Sequence, residues 1–357
     1  MASLQRYWGP SAIWPYFLGG VCAVITLYGV YRLALVLLPI ESVNWVVLLF
    51  TLNNGFTRRA QVFNHNSVLV ALMALLAWRL AVALISGRAK DWIWVGLLAG
   101  FGLITKYQAL MPIAFLGLMV VLVWAAPNPK PLPTAWLGMP SPHASEKLHP
   151  CWSGLALALL LALICWAPHG WWLWQNEGLP MKYAEKSLQG QQAGVWSEAL
   201  SLYVLQFRNW IPGLLLLVVH ALVWRWTQGP SQSRAVWSHP WWWTLIWGPA
   251  LALLALASFG VSLQSHWGMQ ALQFLVLPLA VWAASRWGTP KLWVWWLWGV
   301  IQIGGLVLMA SEMTGTIRAD HADVRKVQAR HIVINAVDHW QKTTPCPLIR
   351  VEAPSHL

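Results

Sequence analysis

Residues 66–86 read NSVLVALMALLAWRLAVALIS, an apolar run interrupted by a single charge, Arg79. A helix needs about 20 mostly apolar residues to cross the hydrocarbon core of a bilayer, and this stretch meets that length while being apolar all round. A helix with no polar face is covered on every side by lipid or by other helices. Comparable runs lie at 12–38, 42–54, 91–105, 108–126, 152–173, 200–225, 240–262, 269–286 and 291–311, so about ten spans are expected. The runs at 42–54 and 91–105 are short, and helices broken before the midplane occur where backbone lines a protein cavity. Turn signals separate the runs: Gly87-Arg88, the Pro-rich stretch 127–150, Gly229-Pro230, Pro240 and Pro290. The run at 12–38 is too long for a signal-peptide core and is read as a retained span.

The chain as a whole agrees with that stretch. Its 357 residues are 58% hydrophobic and 10% charged, with a mean hydropathy of +0.54. Soluble domains carry about 25% charged residues, which excludes a water-soluble globular domain, and disorder is excluded by the high hydrophobicity. The expected fold class is an all-α polytopic membrane protein, with a transmembrane body over 1–311. The 30 Trp suit the membrane–water interface. Four cysteines, Cys22, Cys151, Cys165 and Cys346, show no CxxC or Cys/His spacing, so neither a metal site nor a disulfide framework nor a cofactor is expected.

Twenty-three Lys and Arg against 11 Asp and Glu give a net charge of +12. These cations sit singly or in pairs between apolar runs, which argues for membrane topology and anionic lipid headgroups rather than for nucleic acid. Alternating the spans puts Arg32, Arg88, Lys90, Lys130, Lys147, Arg225, Arg234, Arg286 and Lys291 on one side, and Arg6, Arg58, Arg59, Lys106, Lys182, Lys186 and Arg208 on the other. The first set lies in short links near span ends, so that side is expected to be cytoplasmic and the N-terminus external. After residue 311 the composition turns polar. The segment 312–357 is expected to lie on the outer face as one amphipathic helix or a helix–strand pair, with Ile317, Val324, Val327 and Ile332 to Ile334 among its apolar positions.

With so few charges, each ionisable group beside a span is a functional candidate. Thr57 to Asn66 bring Arg58 and Arg59 next to Asn64-His65-Asn66, a donor set suited to phosphate or carboxylate oxygens. The same pattern is open to a plainer reading, with the Arg pair on lipid headgroups and Asn64 or Asn66 as the N-cap of the next helix. Lys106, followed by Tyr107, stands between two apolar runs with almost no linker; it is either a point charge for a phosphate oxygen or an interfacial anchor. Pro168-His169 with Trp172 and Asn176, then Pro180 to Lys186 including Tyr183, form either a lid or an aromatic belt with a solvated loop. His266-Trp267 lies at the same expected outer surface.

These segments, in this order, resemble the polyprenyl-phosphate-sugar-dependent glycosyltransferases of family 39, which include the bacterial relatives of protein O-mannosyltransferases and the lipid A aminoarabinose transferase. The resemblance runs from about residue 10 to about 285. It is carried by Phe63-Asn64-His65-Asn66-Ser67-Val68-Leu69 with Trp78-Arg79, by Asp91-Trp92 through Gly96-Leu97 and Gly100 to Thr105-Lys106-Tyr107, by Pro168-His169 with Trp172 and Asn176, and by His266-Trp267. It implies a GT-C helical bundle in the inner membrane, with a cavity at the periplasmic or extracellular face. There a sugar would pass from a polyprenyl-phosphate donor to an acceptor with inversion, mannosyltransferase-like. Lys106 and Arg58 or Arg59 would hold the lipid phosphate, whose developing charge is the main electrostatic demand of such a transfer. Asn64, His65, Asn66, Tyr107, Tyr183 and His266 complete the expected substrate-binding set.

Members of that family place an acidic general base, usually in an Asp-Glu pair, in the first outer loop. Here the first acidic residue is Glu41 and the first Asp is Asp91, which the alternation puts on the cytoplasmic side. The segment from Tyr7-Trp8-Gly9-Pro10 reads like the family's chain just after that loop, so this sequence is expected to lack the first helix and the catalytic residue, with Glu177 and Glu185 as outer-loop carboxylates that stand in or do not. Three readings follow: a lipid-linked-sugar glycosyltransferase, a non-catalytic protein that binds or moves a lipid phosphate, and a secondary transporter. The last is disfavoured by the lack of paired intramembrane acids and of a repeat between the halves.

Overall fold

The computed structural model describes residues 13–57, 63–125, 151–182, 194–227, 243–264, 267–313, 337–338 and 340–343. The described residues are helical with connecting turns and contain no strand. In chain order the helices are α1 (Ile13–Leu37), α2 (Ile40–Thr51), α3 (His65–Ser86), α4 (Ala89–Thr105), α5 (Leu110–Ala125), α6 (Trp152–Gln175), α7 (Val195–Thr227), α8 (Gly248–Ser258), α9 (Trp267–Ala271), α10 (Val276–Trp287) and α11 (Leu292–Met313). This is the all-α polytopic membrane class expected from the sequence.

Each of the ten expected segments contains helix, but ten complete crossings are not established. Four helices are long and apolar enough to span a bilayer: Trp14–Leu37, His65–Ser86, Trp152–Gln175 and Val195–Val223. Ile40–Thr51, Tyr107–Leu122, Thr244–Ser258 and Leu292–Leu308 are shorter apolar helices. Proline explains two of the interruptions. A π-helical turn, Trp243–Trp247, precedes α8, whose first turn holds Pro249; a residue without an N–H cannot close the regular bond to the carbonyl four residues back. The expected 269–286 span is split into α9, a 3₁₀ turn over Gln273–Leu275, and α10, with Pro278 in the first turn of α10 where its missing N–H has no intrahelical role.

The part that positions the site is a three-helix layer. Helix α4 runs antiparallel to α3 and parallel to α6, and small residues let it approach both closely. A Cβ on Gly96 would lie 2.5 Å from the Ala158 carbonyl oxygen, and one on Gly100 would lie 2.6 Å from the Cys165 Cβ. Gly102 faces the other way, onto Met73 of α3. Lipid tails offer helices little hydrophobic incentive to associate, so close backbone approach through small residues is a principal source of attraction in a bilayer. At the start of α4 the fully buried Trp92 fills the space left by Gly154. Asp91 accepts from the Ser86 hydroxyl at 2.7 Å and pairs with Arg79 at 3.9 Å, while the Arg79 guanidinium lies 4.1 Å from the centre of the Trp78 ring.

Helix α1 runs parallel to α3: Phe63 N–H donates to the Pro15 carbonyl at 2.9 Å, and Gly29 meets Ala74 further along. The short α2 ends in a buried turn at Asn53, Asn54 and Gly55, where Asn54 N–H donates to the Asn209 carbonyl of α7 at 3.0 Å. Midway along α2, Trp45 is fully buried against His220 and Trp287 and donates its indole N–H to the Gly288 carbonyl at 2.8 Å.

The chain divides into two compact units, 1–298 and 299–357. In the second, the described residues are the end of α11 and a short helical piece in which Lys342 donates to Asp338 at 2.6 Å. Most of the polar segment expected at 312–357 lies outside the described residues, as do 126–150.

Candidate functional site

The end of α4 meets the start of α3, and the chemistry gathers there. Lys106 leaves α4 in an extended conformation and turns directly into a 3₁₀ segment, Tyr107–Ala109, that feeds α5. With no linker, the Lys106 ammonium stays at the helix junction, where it donates to Asn66 Oδ1 at 2.8 Å. Burial pushes the Lys106 pKa down to about 8, because removing an ammonium from water disfavours its charged form. An Asn that accepts through its oxygen still presents its amide NH₂ as a donor, so Lys106 and Asn66 offer an anion a cation and a neutral donor side by side.

Asn64 serves the helix. It is the N-cap of α3: its side-chain oxygen accepts from Asn66 N–H at 2.8 Å and Ser67 N–H at 3.2 Å, and Ser67 Oγ accepts from Asn64 N–H at 3.0 Å. This reciprocal box satisfies amides that would otherwise lack partners at the first turn, leaving side chains rather than helix amides to meet an anion. His65 is exposed and within electrostatic range of Lys106.

Tyr107 points to α6. Its hydroxyl and His169 Nε2 share a hydrogen bond of 2.7 Å, and the His169 ring stacks on Trp172 at 5.8 Å with 14° between the planes. Trp166 meets the same imidazole edge-on. Pro168 inside α6 cannot donate to the carbonyl one turn earlier, which loosens the helix next to this residue. His169 belongs to the site by geometry although its sequence position gave no sign of a partner. The signal that finds it is the packing of Gly96 and Gly100 on α6, which brings the ends of α4 and α6 together.

Arg58, Arg59, Tyr183 and His266 lie outside the described residues, as does Glu185. Glu177, in left-handed conformation at φ 50°, is exposed and pairs with Lys182 at 3.3 Å. A carboxylate that sequence reading passed over is Glu198, in the first turn of α7, which accepts from the Ser262 hydroxyl at 2.5 Å. Asp91 and Arg79, quoted separately in the sequence, form one ion pair at the far end of α4 from Lys106.

No curated protein and no solved structure matches the chain. Residues 10–140, which contain α1 to α5 and the Lys106–Asn66 junction, match the family model described as dolichyl-phosphate-mannose-protein mannosyltransferase.

Proposed function

We propose that the protein transfers a sugar from a polyprenyl-phosphate carrier at the outer face of the inner membrane, with Lys106 holding the carrier phosphate. The observation that carries this reading is the Lys106–Asn66 pair, a half-buried ammonium fixed at 2.8 Å by a neutral amide at the corner between two apolar helices. A phosphate brought there would meet a charge in a medium less screening than water. As the anomeric C–O bond breaks, its electron pair moves onto the phosphate and the acceptor oxygen closes on the anomeric carbon, its proton passing to solvent water. An ammonium already in place stabilises that leaving charge without reorganisation. Tyr107, braced by His169, keeps the corner from relaxing. Arg58, Arg59, Asn64, His65, Tyr183 and His266 are proposed as further donor contacts.

A second reading, binding of a lipid phosphate without transfer, is favoured by one feature: Asp91, Glu177 and Glu198 are each engaged by another side chain. One experiment separates the two. The protein is reconstituted in nanodiscs with polyprenyl-phosphate mannose, and binding and release of polyprenyl phosphate are followed. Binding with turnover supports transfer, and binding without turnover supports the second reading. If Lys106→Ala leaves binding unchanged, both readings fail.

A further inference from the structure

Between α3, α7 and α9 lies a set of side-chain amides buried without full satisfaction. Gln273 is fully buried; its Nε2 donates to the Val70 carbonyl of α3 at 3.1 Å, and its Oε1 has no partner. Gln270, 4% exposed, has no partner for Nε2, and Asn209, 3% exposed, has none for Nδ2. Asn209 lies against the buried turn of α2, where a Cβ on Gly55 would be 3.0 Å from both Asn209 Nδ2 and Asn53 Oδ1. Gln206, one turn before Asn209 on α7, packs on Gly268 of α9, where a Cβ would sit 2.6 Å from its Cγ. Asn209 is three residues from Gln206 on α7, and Gln270 and Gln273 follow Gly268 within five residues, so the Gln206–Gly268 contact brings the two amide-bearing segments together. Val70 is one turn of α3 from Asn66, the residue that takes Lys106.

A buried amide atom without a partner is destabilising, and leucines of similar volume would remove that cost. Packing alone gives no reason to keep amides at these three positions. What they suit is chemistry. An amide carries donors and an acceptor in one plane and no charge, and a hydroxyl both gives and takes a hydrogen bond. A row of neutral amides accommodates a ring with several hydroxyls, and it carries no charge to offset that of a carboxylate or an ammonium taken out of water. The seam starts about one helical turn, roughly 5 Å, from the Lys106–Asn66 pair, within reach of a sugar whose anomeric phosphate is held there.

We propose that this amide seam receives the hydroxyls of the donor's glycosyl group and selects a neutral, polyhydroxylated sugar over a charged one. The proposal rests on the phosphate-holding role of Lys106 and adds Asn209, Gln270 and Gln273 as specificity-determining residues.

The test uses the full chain in nanodiscs with four probes: polyprenyl phosphate, polyprenyl-phosphate mannose, a polyprenyl-phosphate sugar bearing an amine, and methyl mannoside without lipid. Wild type is expected to bind the mannose-bearing lipid about tenfold more tightly than the bare phosphate, the effect of one or two net hydrogen bonds, and to bind the amino-sugar lipid no better than bare phosphate. Asn209→Leu, Gln270→Leu and Gln273→Met are each expected to lose that increment, to keep the bare-phosphate affinity, and to melt at or above the wild-type temperature. An increment that survives all three substitutions overturns the proposal, as does an amino-sugar lipid bound more tightly than the mannose lipid by wild type, a measurement independent of whether variants fold. Methyl mannoside binding that the same substitutions abolish assigns the seam to an acceptor glycan and overturns it too. Equal binding of bare and mannose-bearing lipid sinks the seam alone; binding of neither lipid removes the phosphate role and the seam together.

Discussion

At the scale of single residues, Lys106 makes a signed prediction. Its pKa of about 8 in the free protein would rise when an anion binds, because the anion favours the ammonium. On the proposed role, affinity for polyprenyl phosphate is expected to fall as pH climbs through 8 and beyond; Lys106→Arg, which stays charged, is expected to remove that decline, and a binding titration from pH 7 to 10 reads both. Lys106→Ala at pH 7 is expected to weaken binding about 10- to 100-fold, the range for a charged hydrogen bond. Stability has its own sign. The folded pKa lies below the unfolded 10.5, so the unfolded chain holds more protons between pH 8 and 10.5, and stability rises with pH across that window. Asn64 predicts a different outcome from its neighbours: Asn64→Ala should lower stability by about 1 kcal/mol through loss of the α3 cap, while Asn64→Ser restores it, both read by thermal melts.

At the scale of elements, the corner depends on how closely α4 packs on α6. A Cβ at Gly96 would meet backbone 2.5 Å away, so Gly96→Ala forces the helices apart and is expected to cost about 1–3 kcal/mol. The separation should also loosen the Tyr107–His169 bond. A double-mutant cycle with Tyr107→Phe and His169→Phe would show coupling of at least about 0.5 kcal/mol in the wild-type background and less on Gly96→Ala. This is where the sequence stops being legible. Lys106 stood out because it is a lone cation between two apolar runs, and Asn64 as a cap followed from its spacing to Ser67. Tyr107 with His169, and Arg79 with Asp91, were visible as residues but not as pairs, since each pairing is fixed by which helices lie side by side. Gln270 and Gln273 were hidden because they sit inside a run whose average is apolar. The breaks before Pro249 and Pro278 were missed because hydropathy averages over a window and does not register a missing N–H.

At the scale of the molecule, α6 predicts sidedness. Cys151 lies just before it and Lys182 beyond its end, and α6 is long and apolar enough to cross the bilayer. In sealed vesicles, with the other cysteines replaced by serine, an impermeant maleimide should label Cys151 from one side. It should label a Lys182→Cys variant in a Cys151→Ser background from the other; labelling of both from the same side would remove α6 as a crossing. The fold class was readable from composition and span length alone. The number of crossings was not, because a window of apolar residues does not distinguish a full helix from two halves joined by a π or 3₁₀ turn.

One dimension of α4 carries a consequence for its surroundings. From Ala89 to Thr105 the helix has 17 residues, about 25 Å, against a hydrocarbon thickness of about 30 Å. With the Arg79–Asp91 pair at one headgroup layer, the opposite tip of α4 would fall short of the other unless lipid thinned around it. Short-chain bilayers are then expected to leave the Lys106 ammonium more hydrated than long-chain bilayers, read as faster amine labelling in the thinner membrane.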